Sequence, residues 1–135
     1  EAIALALTSV GLGVLFQARA RDLPWLLIGG LSAWTGSWVG GALLALGLAP
    51  LLGALTTGAV GNAVARRFER PAIIAVVPGL MLLVPGSLGV RSLRALLADD
   101  VVGGIEIGFT MAFVAAALVS GLLLANVLVD PRREL

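Results

Sequence analysis

The chain contains no cysteine, no histidine and no tyrosine. The missing thiols exclude disulfides and cysteine nucleophiles, and the missing imidazoles exclude the common zinc sites and haem ligation by histidine. The Ser-His and Cys-His catalytic pairs go with them. No nucleophile–base pair or ligand cluster points to an enzyme, a metal or a cofactor. Any proton relay has to run through Asp, Glu or water. Charge is scarce as well, at 13% of residues with a formal net charge of +1. That balance, without basic residues interleaved with aromatics, excludes nucleic acid as a partner.

Apolar residues are what the chain has in excess: 59% are hydrophobic and the mean hydropathy is +1.07 over 135 residues. A soluble domain of this length leaves much of its surface wet, and too few polar residues exist here to cover it. The surrounding solvent is therefore membrane lipid. In lipid the backbone must satisfy its own hydrogen bonds, which leaves helices or closed barrels. The long apolar runs select an all-α, polytopic membrane protein with about five transmembrane helices.

Charges and turn residues divide the chain into spans at about 3–17, 24–44, 50–65, 71–98 and 102–129, within a single transmembrane domain. The first is short. The chain opens on Glu1 and reads as the back part of something longer, with nothing like a basic segment followed by a cleavage site. Pro24 and Pro50 are placed to open helices in their first turns. At ~1.5 Å per helical residue, 71–98 is longer than one straight crossing of a ~30 Å core requires. This fourth segment is also where the chain is most unusual.

It carries Val77-Pro78-Gly79 and Val84-Pro85-Gly86, two Pro-Gly pairs seven residues apart. A proline lacks the N–H that would bond the carbonyl four residues back. Pro78 and Pro85 therefore free the carbonyls of Ile74 and Met81, on faces offset by only ~20°. Unpaired backbone at membrane depth survives where protein or a water-filled cavity covers it. Broken helices of this kind bind substrates and coupling ions in transporters; a helix merely kinked around a neighbour is the alternative. The segment is predicted to break at Pro85-Gly86 and resume as a short helix over 87–98.

Arginine placement orients the chain. Arg19, Arg21, Arg66, Arg67, Arg70, Arg132 and Arg133 fall on one side, and only Arg91 and Arg94, beside Asp99 and Asp100, on the other. Excess positive charge marks the cytoplasmic face, so the N-terminus is outside and the C-terminus inside. Trp25 fits an interfacial aromatic belt, whereas Trp34 and Trp38 are predicted to pack against neighbouring helices. Gly36 with Gly40, and Gly104 with Gly108, form small-residue faces suited to close helix packing. No inverted repeat is visible.

Three sets of residues resemble the threonine/serine exporter family, in its smaller five-span, C-terminal-type module. These are Leu23-Pro24-Trp25 after a basic connector, Gly58-Ala-Val-Gly61-Asn62 running into Arg66-Arg67 and Arg70-Pro71, and Val77-Pro78-Gly79 with Leu83-Val84-Pro85-Gly86-Ser87. The resemblance runs from about Gly11 to Asp130. It implies one half of a larger exporter in the bacterial cytoplasmic (inner) membrane, moving threonine- or serine-like amino acids by proton antiport. Others of the family resemble two-protein exporters of dicarboxylates such as succinate. The resemblance also implies a larger N-terminal-type partner module, fused or separate, and an oligomer.

The residues themselves supply a compatible mechanism. Pro78, Gly79, Pro85 and Gly86 form the break, and Ser87 can cap the half-helix that resumes there. The positive end of that helix suits a substrate carboxylate. Arg91, four residues on, shares the face of Ser87; it could pair with the carboxylate or be an interfacial arginine balanced by Asp99 and Asp100. Glu106 is the acid well inside a span and the candidate proton carrier, with a partly hydrated interfacial glutamate as the alternative. Asn62 and Asn126 suit interhelical hydrogen bonds, and Asn62 is also a candidate substrate contact. Two rivals to a coupled exporter are a non-transporting assembly subunit and a channel that uses the break as its filter.

The orientation is directly testable, because any introduced thiol is unique. A cysteine in place of Phe68 should stay unlabelled by an impermeant thiol reagent added outside intact cells. Labelling there would reverse the topology.

Overall fold

The computed structural model describes residues 22–43, 48–69, 71–84 and 86–130, together with Leu7 and Gly11. The expected first span at 3–17 lies outside the described residues, Leu7 and Gly11 apart. Among the described residues the chain is helical and has no strand: α1 (Leu23–Leu43), α2 (Ala49–Phe68), α3 (Ile73–Leu83), α4 (Gly86–Leu97) and α5 (Val101–Leu128). Two stretches, 73–97 and 101–128, are long and apolar enough to cross a membrane. α1 and α2, at 21 and 20 residues, are shorter and are diluted by glycine and hydroxyl side chains, and α2 also ends in Arg66 and Arg67.

Local chemistry accounts for the ends. Pro24 and Pro50 sit in the first turns of α1 and α2, where a missing N–H costs no helical bond. α2 stops at Glu69, whose left-handed backbone (φ 54°) turns the chain before Pro71. Asp100 opens α5 by accepting a hydrogen bond from the Gly103 N–H at 3.0 Å, which places a carboxylate at the positive end of that helix.

The fourth segment is interrupted once. The helix ends at Leu83, Val84 is extended (φ −60°, ψ 128°), and helix resumes at Gly86. An extended residue is what a following proline imposes sterically; Pro85 itself lies outside the described residues. At Pro78 the expected second break is corrected, since α3 runs through it without interruption. The proline ring deletes one bond, and the packed backbones of α1 and α2 on either side hold the turn in helical form.

α2 is the central post, packed by α1, α3 and α5, while α3 also packs on α1 and α4 on α5. The buried apolar residues are mostly alanine, with Leu26 and Leu118 the larger exceptions. The helices therefore meet backbone to backbone. A β-carbon on Gly29 would fall on the carbonyl oxygen of Ala75, and one on Gly79 would stand 2.7 Å from the carbonyl oxygen of Gly29. Gly40 meets Ala49 Cα at 3.0 Å by the same measure, Gly58 meets Ala125 Cβ at 2.6 Å, and Gly121 abuts the carbonyl of Leu51. Such approaches favour Cα–H···O contacts and dense dispersion contact. Both small-residue pairs serve this purpose, Gly36 and Gly40 against α2, and Gly104 and Gly108 against α4. Trp34 and Trp38 take the opposite side of α1. The expectation that they pack inside is corrected, for Trp38 is 68% exposed, because the glycine face leaves no room for an indole.

Gly29 and Gly41 should respond oppositely to the same change. Gly29→Ala drives a methyl into backbone and should cost about 1–3 kcal/mol of stability. Gly41→Ala meets only Ala49 Cβ at 3.8 Å and should be neutral or gain up to ~1 kcal/mol from helix propensity. Thermal unfolding of the two variants in detergent tests this; equal shifts would mean that α1 and α3 are not in backbone contact.

Candidate functional site

The interruption at Val84 divides one apolar segment between two sets of neighbours. α3 lies against α1 and α2, and α4 lies against the first half of α5. Pairings of Leu96 with Gly104, Ser92 with Gly108 and Gly89 with Met111 run in opposite senses, so α4 and α5 are antiparallel. Ser92 Oγ fastens them by donating to the Gly104 carbonyl at 2.6 Å.

The candidate residues fall into three places. Pro78 and Gly79 are buried on α3, where Gly79 faces the Gly29 carbonyl and the Thr57 methyl. Gly86, Ser87 and Arg91 are exposed on α4, Ser87 and Arg91 on one face. Ser87 lies inside α4 rather than ahead of it, so the capping role expected of it is corrected: a helical residue in the first turn is not the flanking residue that caps. Among the described residues no carboxylate lies within ion-pair distance of Arg91, and Asp100 is engaged in capping α5.

Glu106 stands on the outward face of α5, exposed, one turn before Thr110, whose hydroxyl donates to the Glu106 carbonyl at 3.0 Å. An open, shallow groove lined by Phe109, Thr110, Ala112 and Phe113 lies on the same stretch of helix. Among the described residues no three acidic side chains gather to hold a metal ion.

Asn62 is 3% exposed and gives its amide hydrogens to α5, to Asn126 Oδ1 at 2.9 Å and to the Val129 carbonyl at 2.8 Å. The expected interhelical hydrogen bonding is thus formed, as a buried amide requires, and the two amides prove to be partners. Near the other end of the α1–α2 seam the structure adds a cluster of hydroxyls that sequence reasoning passed over. Thr56 Oγ1 donates to the Ser32 carbonyl at 2.9 Å, and Thr57 Oγ1 donates to Gly53 O at 2.7 Å within its own helix. The Ser37 hydroxyl is sealed from solvent and has no partner among the described residues. It lies against Gly53, at a point where a Gly53 β-carbon would also stand 3.0 Å from the Leu83 methyls. The available signal was spacing: Gly53 and Thr57, four apart, face one way on α2.

The amide pair is open to a double-mutant cycle. Asn62→Ala and Asn126→Ala should show a coupling of about 0.5–2 kcal/mol in stability. Strictly additive losses would mean that the two amides do not depend on each other.

Residues 1–128 match the family model described as "Threonine/Serine exporter, ThrE". No curated protein and no solved structure matches the chain. The match takes in the interrupted segment 73–97, the glycine seams and the Asn62–Asn126 pair alike. On that footing the chain belongs to the threonine/serine exporter family.

Proposed function

We propose that the chain is one module of a secondary exporter that carries threonine- or serine-like amino acids out of the cell by proton antiport. The observation that carries the reading is the interruption of an apolar, membrane-length segment at Val84 in a chain of this family. A helix broken inside a bilayer leaves carbonyls without donors at one end and N–H groups without acceptors at the other. Those groups persist where they line a polar path.

In this reading the substrate carboxylate binds at the beginning of α4, with Gly86, Ser87 and the Arg91 guanidinium, beside the Pro85 position. Pro78 and Gly79 shape the α3 side. Of Asn62, whose amide hydrogens are committed to α5, the carbonyl oxygen is left to meet a substrate. Glu106 carries the proton. Its exposure on this chain suits a surface covered by the larger partner module, since an acid left facing lipid is costly.

The disposition is five spans in the bacterial cytoplasmic membrane, N-terminus outside. The relative helix directions support the alternation of crossings, while the side of the N-terminus rests on the arginine distribution. Contacts of Gly121 with Leu51, Ala125 with Gly58 and Asn126 with Asn62 advance together, so α2 and α5 are parallel, as two alternate crossings would be. The α2–α3 contacts, Leu83 at Gly53 and Val76 at Gly61, run antiparallel.

Uphill transport tests the proposal. In inside-out membrane vesicles containing the complete transporter, labelled threonine should accumulate only when a pH gradient is imposed. Glu106→Gln keeps the side chain's shape and removes its titration, so it should bind threonine but fail to concentrate it. Accumulation by that variant would move the coupling group elsewhere. Gradient-independent flux would favour a channel, and no flux a subunit of assembly alone.

A further inference from the structure

The seams between helices are of two kinds. Three are pinned by a polar side chain: α1 to α2 by Thr56 on the Ser32 carbonyl, α2 to α5 by Asn62 on Asn126 and Val129, and α4 to α5 by Ser92 on the Gly104 carbonyl. The seams of α3 have no such pin among the described residues. Its eleven residues, Ile73–Leu83, include no side chain with a conventional hydrogen-bonding group. The contacts that seat it between α1 and α2 are Gly29 with Ala75, Gly79 with Gly29 and Thr57, Gly61 with Val76, and Gly53 with Leu83. All are smooth and short-ranged, so displacing α3 breaks no side-chain hydrogen bond.

Both ends of α3 are jointed. Before it, Glu69 has a left-handed backbone and Pro71–Ala72 form a turn; after it, Val84 is extended. Glu69 and Val84 stand outside the helices and can absorb changes in φ and ψ, as at hinge positions generally, whereas the Pro71 and Ala72 carbonyls accept from the first turn of α3 and move with it. α4 beyond the second joint stays fastened to α5. The joint therefore separates α3 from a helix that is held.

The sealed Ser37 hydroxyl lies where the last turn of α3 meets Gly53. A buried hydroxyl without a partner is unfavourable, and withdrawal of α3 would relieve it by opening it to water or to a polar ligand.

We propose that α3 is the moving element of the transport cycle. It leaves the α1–α2 groove as a body while α1, α2, α4 and α5 remain joined, and its withdrawal uncovers Ser37. The proposal rests on the exporter reading above.

Two disulfides of matched geometry separate it from that reading. A β-carbon on Gly61 would stand 3.7 Å from Val76 Cβ, and one on Gly41 would stand 3.8 Å from Ala49 Cβ. Both lie within the range of about 3.5–4.5 Å that a disulfide spans. With no native cysteine, Gly61→Cys/Val76→Cys ties α3 to α2, and Gly41→Cys/Ala49→Cys ties the already pinned α1 to α2. Oxidation should abolish threonine flux in the first pair and dithiothreitol should restore it, while the second pair transports in either state. Flux persisting through a fully formed 61–76 disulfide would overturn the proposal. Failure of the unaltered transporter to move threonine would overturn the exporter reading instead.

A second measurement needs no paired cysteines. Ser37→Cys should react with N-ethylmaleimide slowly at rest and faster when threonine and a pH gradient drive turnover. An unchanged rate during demonstrated turnover would leave α3 in place and sink the idea.

Discussion

Everything in this bundle depends on how closely two backbones can approach. Side chains in the buried seams are mostly hydrogens and methyls, so the distance between helices is set by main-chain atoms at Gly29, Gly40, Gly58 and Gly121. In lipid no hydrophobic force draws helices together, because the solvent is as apolar as the side chains. Attraction has to come from dense dispersion contact and from a few polar bonds. That requirement explains why the large side chains point away: Trp38, Phe109 and Phe113 are all exposed, while the alanines lie inside.

The polar bonds are few, and their placement divides labour. One pin on each of three seams holds α1, α2, α4 and α5 as a frame. Each uses a group that would be expensive to bury unpaired, so each specifies register as well as attraction. α3 carries no polar side chain; its position rests on close packing alone, so moving it breaks no side-chain hydrogen bond. A transporter needs this combination, since alternating access moves one part against another around a site.

The two prolines of the fourth segment act differently although their local sequences are nearly the same. Both lack the N–H that a helical hydrogen bond needs. At Pro78 the helix continues, wedged between α1 and α2, whereas at Val84 it stops. α3 and α4 then serve different partners. Neighbours decide whether a proline kinks, interrupts or merely sits in a helix.

The sequence by itself determined the material and most of the segmentation. Missing Cys and His excluded whole chemistries, excess apolar residues selected helices in lipid, and Pro24, Pro50 and the Arg66-Arg67 run marked ends within a few residues of those observed. It also indicated that Asn62 and Asn126 make interhelical hydrogen bonds and that the glycine pairs pack closely, since both follow from residue type and spacing; that the two amides are each other's partners came from the packed helices. Three things were decided only by tertiary structure: that Pro78 leaves its helix whole, that Trp34 and Trp38 face outward, and that the hydroxyls of Ser37, Thr56 and Thr57 share one seam region. The reason is common to all three. A single apolar helix offers several nearly equivalent faces to lipid and to its neighbours, and only the packed backbone of another helix distinguishes them.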